Sequence, residues 1–314
     1  MKNLKIIDLK NKKEITAVDG PVCLLLGNFD GVHEGHTKLI ETALSEGQRL
    51  GIKTGAWTFE KHPLNYLTSN SVLCLSSNEE KTDIFAEKGL DYVIYEDFER
   101  VKNYSPDDFV DKILIDSFDC RSVVCGFNFK FGKNGAGDAD FLKKKMEESG
   151  RNTLIVSPVY KMNRIVSSTA VRFFVENGLM EEAAEMLGRP YSIKFPVLHG
   201  HKLGRKIGIP TINQTFPQNH IKPKNGTYAC TCYIGDDIFL GVSNVGSRPT
   251  VNDNINDVNC ETHIINYNGW LYGKNIRVCF YKRLRDEKRF DNIEELKNTV
   301  KNDIDSALEY FSKK

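Results

Sequence analysis

No stretch of the chain approaches the roughly 20 consecutive apolar residues that a helix needs to cross a bilayer. The N-terminal segment MKNLKIIDLKNKKEIT scatters its charges without a continuous apolar core. Neither a secretory leader nor a membrane anchor is expected, and the expected location is the cytoplasm. An excess of one charge is missing too: 43 Lys and Arg stand against 42 Asp and Glu, interspersed, for a formal net charge of +1. That removes the electrostatic footprint of a nucleic-acid or anionic-membrane binder, so small molecules are the expected partners. The eight cysteines contain no C-x-x-C pair and stand singly in apolar or strand-like runs, as at Cys23, Cys125 and Cys279. Cys230 and Cys232 flank Thr231 in a strand pattern that puts both on one sheet face. Packed thiols are expected there, rather than zinc ligands or a disulfide framework. Internal repeats and low-complexity linkers are also absent, and the oligomeric state stays open, a homo-oligomer included.

What is present is a length of 314 residues, which predicts two domains. Over 22–187 short apolar runs (22–26, 52–59, 91–95, 121–125, 153–157) alternate with helical stretches, the pattern of an α/β domain with a mainly parallel sheet. Ser77 with Glu80 reads as a capping box, and Ser105 before Pro106 and Asp108 starts another helix. Helices at 169–177 and 180–187 end near Gly178 and Gly188. After Gly188-Arg189-Pro190 the pattern changes to strands separated by Gly, Asn and Asp turns, at 226–234, 238–245 and 276–283. This predicts an antiparallel barrel or sandwich. A closing helix carries Ile293, Leu296, Val300, Ile304, Leu308 and Phe311 on one stripe, read as plain core packing. The expected domains are 1–187 and 188–314.

Residues 27–36, GNFDGVHEGH, follow the first buried run and precede a helix. A turn at a strand's carboxyl end and a helix's amino end offers free N–H groups and a favourable dipole to phosphate. His33 and His36 can add hydrogen bonds to the charge that develops as pyrophosphate leaves. Gly27, Asp30, Gly31 and Gly35 fall where a tight loop must approach a ligand. The plain alternative is a glycine turn with two surface histidines. Two more segments suit ATP. In CGFNFKFGKNGAGD (125–138), Asn128 can bond a ligand through either face of its amide, and the alternation of Phe127, Phe129 and Phe131 argues for a fixed loop rather than a mobile connection. In VSSTAVR (166–172), helix-starting hydroxyls are followed one turn on by Arg172, a set that can hold a phosphate pair; a simple N-cap is the alternative.

Further on, HGHKLGRKIGIPTIN (199–213) is a basic glycine loop leading to Thr211 and Asn213. On an extended chain these two share a face and can ligate a hard cation such as Mg2+ carrying ATP phosphates. It is not a Walker loop, since G-x-x-x-x-G-K-[ST] is absent.

Together FDGVHEGH, GFNFKFG and SSTAVR resemble the adenylyltransferase module of the prokaryotic bifunctional riboflavin kinase/FMN adenylyltransferase (FAD synthetase) family. The stretch from His199 to Asn213 resembles its kinase signature, and NGTYA (225–229), NVGSRPT (244–250), ETH (261–263) and LRDE (284–287) with Phe290 follow in the family's order. The resemblance covers nearly the whole chain. It implies a Rossmann-like nucleotidylyltransferase domain, then a riboflavin-kinase-type antiparallel β-barrel with a terminal helix. It implies two activities: ATP-dependent phosphorylation of riboflavin to FMN, and AMP transfer from ATP to FMN, giving FAD and pyrophosphate. It implies ATP binding by Gly27, Phe29, Asp30, His33, Gly35, His36, Asn128, Ser168, Thr169, Arg172, Gly204 and Arg205, and metal binding by Thr211 and Asn213. Glu261 is implied as the kinase's general base and Arg285 as a flavin contact; Phe59-Glu60-Lys61-His62-Pro63 also resembles a family segment. Lys194-Phe195 and Thr227 depart from the usual pattern and leave local geometry open. Rival readings are another member of the nucleotidylyltransferase class, such as an adenylyltransferase for nicotinamide mononucleotide or phosphopantetheine with an unrelated barrel, and a flavin-binding regulator that has lost catalysis. A class I aminoacyl-tRNA synthetase, which shares a related histidine motif, fits poorly with a chain lacking a tRNA-sized basic surface.

Overall fold

The computed structural model describes residues 4–9, 18–67, 72–200, 204, 208–247 and 258–314. The chain divides into two compact units, one up to Ser167 and one from Ser168 onward. In the first, the strands in chain order are β1 (Lys5–Asp8), β2 (Val22–Leu26), β3 (Lys53–Phe59), β4 (Tyr92–Glu96), β5 (Cys120–Gly126), β6 (Lys130–Phe131), β7 (Gly137–Asp138), β8 (Asn152–Val156), β9 (Tyr160–Lys161) and β10 (Arg164–Ile165). Six of them form a parallel sheet in the order β1-β4-β3-β2-β5-β8, while β6 with β7 and β9 with β10 make short antiparallel ribbons.

All five side chains of β2 are buried, as its unbroken VCLLL run requires of a strand covered on both faces. Alternate residues feed two cores. Leu24, Trp57 and Ile94 pack with Phe109 and Leu142 on one side; Cys23, Leu25 and Val93 pack with Ile40 and Phe85 on the other. Each large side chain so buried contributes about 1.5–3 kcal/mol. From β2 the chain winds outward through β3 and β4, then returns to β5 on the opposite side of β2. The strand order therefore reverses between β2 and β5. Crevices that bind ligands in open α/β sheets lie at such a point, beyond the strands' carboxyl ends.

Helix starts follow their caps. Ser77 and Glu80 exchange both capping-box hydrogen bonds before the helix Asn78–Lys88. Ser105 Oγ accepts from Asp108 N–H at 3.0 Å, and the turn it opens runs on as a π-helix, Phe109–Ser117.

The second unit begins with helices Ser168–Glu176 and Met180–Leu187, then continues through β11 (Tyr191–Pro196), β12 (Ile212–Thr215), β13 (Gly226–Ile234), β14 (Asp237–Ser247), β15 (Val258–Ile264) and β16 (Asn275–Arg285) to a last helix, Ile293–Ser312. Helix Met180–Leu187 packs on β11 and β16, which is why compactness divides the chain ahead of the pattern change at Gly188. The sheet order is β11-β16-β13-β14-β15-β12, antiparallel throughout. Its two end strands approach each other: Leu198 N–H donates to Asn213 O at 2.8 Å, and the fully buried Gln214 Nε2 donates to Phe195 O (2.7 Å) and Ile276 O (2.8 Å). Those bonds nearly close the sheet into a barrel.

The last helix keeps most of the apolar stripe expected of it, with Leu296, Val300, Ile304 and Phe311 turned to the barrel, and departs from it at two positions. Ile293 and Leu308 are exposed, and the residues it buries are Asp303 and Ala307. Its inner face also carries Asp303 and Ala307, so a charged residue stands within the stripe.

Candidate functional site

Beyond β2 the loop is built from backbone held in place by buried polar groups. Gly27 N–H donates to Trp57 O, and Thr58 Oγ1 donates to Asn28 O at 3.1 Å. Asp30 is buried and its Oδ1 accepts from Leu75 N–H (2.9 Å) and Ser76 N–H (3.3 Å), while Ser76 Oγ accepts from Gly31 N–H. Phe29, Gly31 and Val32 all take positive φ, at 50°, 77° and 38°. Two non-glycine residues in that region store strain of about 1–3 kcal/mol each, held here by the fully buried Phe29 packing edge-on against Phe85 and His36.

His33 is the N-cap of the helix Glu34–Leu50: its Nδ1 accepts from His36 N–H at 3.3 Å. The two imidazoles lie stacked, centroids 3.6 Å apart with 12° between planes. Gly35 makes that possible, since a Cβ there would stand 3.1 Å from His33 Cε1. The histidine pair thus sits at a helix amino end and at the sheet's switch point. The other loop at that point follows β5: Phe129 N–H donates to Gly126 O, closing a turn in which Asn128 is exposed with its Oδ1 over Gly126.

Phe127 corrects the expectation for its loop. It is 46% exposed, because the turn swings it outward, and only Phe129 and Phe131 stack and pack inward. His62 Nδ1 accepts from Leu64 N–H, so it serves the start of the short helix Leu64–Leu67. Ser168, Thr169 and Arg172 lie on the first helix of the second unit, with Thr169 exposed and the other two half-buried.

In the barrel, register brings distant residues into one row. Asn213 on β12 pairs with Glu261 on β15, Glu261 with Asn244 on β14, Asn244 with Thr227 on β13, and Thr227 with Arg285 on β16. Directly paired residues share a sheet face. Thr262 and Ser243 point the other way, into the barrel, hydrogen-bonded to each other at 2.7 Å. The row's face lies under the last helix, and a cavity of about 190 Å³ opens there, lined by Thr211, Glu261, Arg285 and the backbone of Gly204. A Cβ on Gly204 would come within 2.3 Å of Ile209 O, so only glycine lets this backbone lie over Thr211. Asn213 stands beside Glu261 in the row, its amide against Gly200, and does not line the cavity. Arg205 lies outside the described residues. A second cavity of about 580 Å³ shares Thr211 and is rimmed by Tyr267, Trp270 and Tyr272.

Both halves match known families. Residues 16–170 match the FAD synthetase family model and residues 187–311 the riboflavin kinase model. The chain is 32% identical over 293 residues to the bifunctional riboflavin kinase/FMN adenylyltransferase of Bacillus subtilis (strain 168), covering 92% of each. It is 33% identical over 291 residues to the enzyme of that name from Escherichia coli (strain K12), again covering 92% of each. The chain belongs to the bifunctional riboflavin kinase/FMN adenylyltransferase family. A solved Streptococcus pneumoniae structure described as a macrolide-efflux protein shares the fold of this family member, with a TM-score of 0.85 and 25% identity over 96% of this chain and 98% of that one. No helix among the described residues here is long and apolar enough to cross a membrane.

In this family member sequence reasoning passed over Asp303 altogether and gave Asn244, quoted only within the NVGSRPT match, no place of its own. Asn244 lies in the row between Glu261 and Thr227, and Thr227 Oγ1 reaches its Oδ1 at 3.5 Å. Asp303 meets Arg285 across the cavity in a bidentate pair, both N–O distances 2.8 Å. An aspartate on the inward stripe of an amphipathic helix was the available signal. The eight cysteines are all free thiols, seven of them buried; burial pushes Cys23, Cys125 and Cys260 up to about 12, which makes them packing groups rather than nucleophiles.

Proposed function

We propose that the chain makes flavin cofactors in two ATP-dependent steps, phosphorylating riboflavin to FMN and then transferring AMP to FMN, which yields FAD and pyrophosphate. One observation supports the reading: the chain carries a stacked histidine pair at the parallel sheet's switch point and, in its other unit, a cavity on the barrel lined by Thr211 and Glu261. Family membership supplies the pairing of the two chemistries. The adenylyltransferase module is 1–187 and the kinase module 188–314.

In the kinase step, Glu261 accepts the proton of the terminal ribityl hydroxyl as that oxygen attacks the γ-phosphorus and ADP leaves. Thr211 Oγ1 lies beside a backbone cradle that a Cβ at Gly204 would fill, and the Asn213 amide lies against Gly200; both are hard oxygen donors of the kind that suits Mg2+ delivered with ATP phosphates. Mg2+ supplies charge neutralisation on those phosphates when bound. Gly204 and Arg205 hold the same phosphates, and the aromatic rim of the larger cavity offers faces on which a nucleotide base stacks. Arg285 contacts the flavin.

In the second step a phosphate oxygen of FMN attacks the α-phosphorus of ATP in line, and pyrophosphate departs. His33 and His36 stabilise charge on the leaving group rather than form a covalent intermediate. Gly27, Phe29, Asp30 and Gly35 shape the loop around the phosphates, Asn128 bonds the nucleotide, and Ser168, Thr169 and Arg172 add hydroxyl and guanidinium donors. Free thiols and small-molecule substrates suit an enzyme of the cytoplasm.

The test is an incubation of the purified protein with riboflavin, ATP and Mg2+, followed by chromatographic separation of the flavins. FMN and FAD should both accumulate. FAD from added FMN without FMN from riboflavin would overturn the kinase half, and no conversion at all would overturn the whole reading.

A further inference from the structure

Asp303 is a carboxylate on the last helix, 6% exposed, in the middle of the face that covers the barrel. A buried acid is costly unless it is paired, and this one is paired at both oxygens. Arg285 Nε donates to its Oδ1 and Arg285 Nη2 to its Oδ2, each at 2.8 Å, the fork geometry that fixes a guanidinium plane. A third donor, on Nη1, goes to Asp286 O at 3.0 Å. The Phe290 ring lies 5.9 Å from the guanidinium carbon. Arg285 therefore has three of its five N–H groups committed to the protein, and its plane is held from two directions. Both residues line the Glu261 cavity, and Arg285 ends the five-strand row in which Glu261 stands.

From this geometry we infer that Asp303 is a positioning residue for riboflavin: it aims the two remaining N–H donors of Arg285 at an acceptor edge of the flavin, and so makes the last helix part of the binding site. The inference rests on the flavin-contacting role proposed for Arg285. A helix whose only task was to cover the barrel would put an aliphatic side chain at position 303, as it does at Ala307 four residues on. An Arg285 without Asp303 keeps its charge but loses its fixed plane, and a floppy guanidinium binds an oriented acceptor less well.

The experiment is a double-mutant cycle on the full chain, with Asp303→Asn, Arg285→Ala and the pair together. Riboflavin affinity is read by quenching of flavin fluorescence, FMN formation by chromatography, and folding by the melting transition. Each single change should weaken riboflavin binding about tenfold, and the double variant should be no weaker than Arg285→Ala alone, because Asp303 acts through Arg285. Additive losses, or unchanged binding in Asp303→Asn, would overturn the inference. Should Asp303→Asn fail to fold, Asp303→Glu keeps the charge and displaces the carboxylate by one methylene; weaker riboflavin binding with an intact melting transition supports positioning, and unchanged binding refutes it. Wild-type protein that binds riboflavin but forms no FMN would overturn the proposed reaction, while the binding cycle still decides the role of Asp303.

Discussion

Gly35→Ala separates the placement of the histidine pair from the stability of the loop. Gly35 lies in the first turn of the helix Glu34–Leu50 and takes no positive φ, so alanine is conformationally allowed there. In an open helix position the exchange would stabilise by about 1 kcal/mol. Here the new Cβ would stand 3.1 Å from His33 Cε1 and 3.2 Å from Nδ1, so the imidazole must move by a few tenths of an ångström. That shift weakens a cap bond already 3.3 Å long, whose loss costs about 1 kcal/mol, and disturbs a stack of 3.6 Å with His36. The two stability effects nearly offset each other. Catalysis has no such offset, since misplacing a group by about 1 Å can cost 100-fold; a smaller shift of a charge-stabilising imidazole should cost roughly tenfold to 100-fold in kcat for FAD formation from FMN. The assay is steady-state FAD formation alongside a thermal melt. A Tm within a few degrees of wild type with a strongly reduced kcat is the expected pair of results. A raised Tm with unchanged kcat would refute the claim that Gly35 is there to place His33.

The remaining predictions concern the frame around the sites. Lys81 is 5% exposed, its Nζ 3.4 Å from Phe59 O and 5.4 Å from the Tyr95 ring centroid, and burial lowers its pKa to about 8 despite the opposing pull of Asp30. Since the folded pKa lies below the unfolded one, the unfolded chain holds the extra proton between about pH 8 and 10.5, and that contribution to stability rises with pH across the window. Lys81→Met should therefore gain up to ~3 kcal/mol over wild type at pH 7, and the gap should close by pH 10 in urea melts; a gap independent of pH would contradict the shift. Gln214→Met removes the donor that serves Phe195 O and Ile276 O at the barrel seam and should cost about 2–3 kcal/mol in the same melts. A loss below about 0.5 kcal/mol would mean the seam is held by other bonds.

Legibility in the sequence followed the range of the interaction. Buried runs such as VCLLL and the box at Ser77 and Glu80 are local, so the parallel strands and several helix starts could be read within a residue or two. β1 went unread because it is short and only Ile7 of its four residues is buried, too little to make a pattern. The GNFDGVHEGH turn was legible as a link from a strand's end to a helix's start, yet the stacking of its imidazoles was not, since side-chain placement three residues apart is set by the folded loop and not by spacing alone. In the barrel, Thr211 and Glu261 became neighbours only through pairing of β12 with β15, about fifty residues apart in the chain, a distance over which periodicity carries no information. Asp303 was hidden differently: counting only apolar residues on the last helix drew the stripe through exposed Ile293 and Leu308 and passed over the buried charge.

The central claim is that one chain holds two independent chemistries, with the proton of riboflavin's ribityl hydroxyl going to Glu261. Glu261→Gln keeps the size and shape of the side chain at that position in the β15 row while removing the base, so it is the cleanest cut between the two. Measured by flavin chromatography, the variant should lose FMN formation from riboflavin by roughly 100-fold or more. It should still convert added FMN to FAD at the wild-type rate. Loss of both conversions in a folded protein, or FMN formation that survives at full rate, would contradict the account.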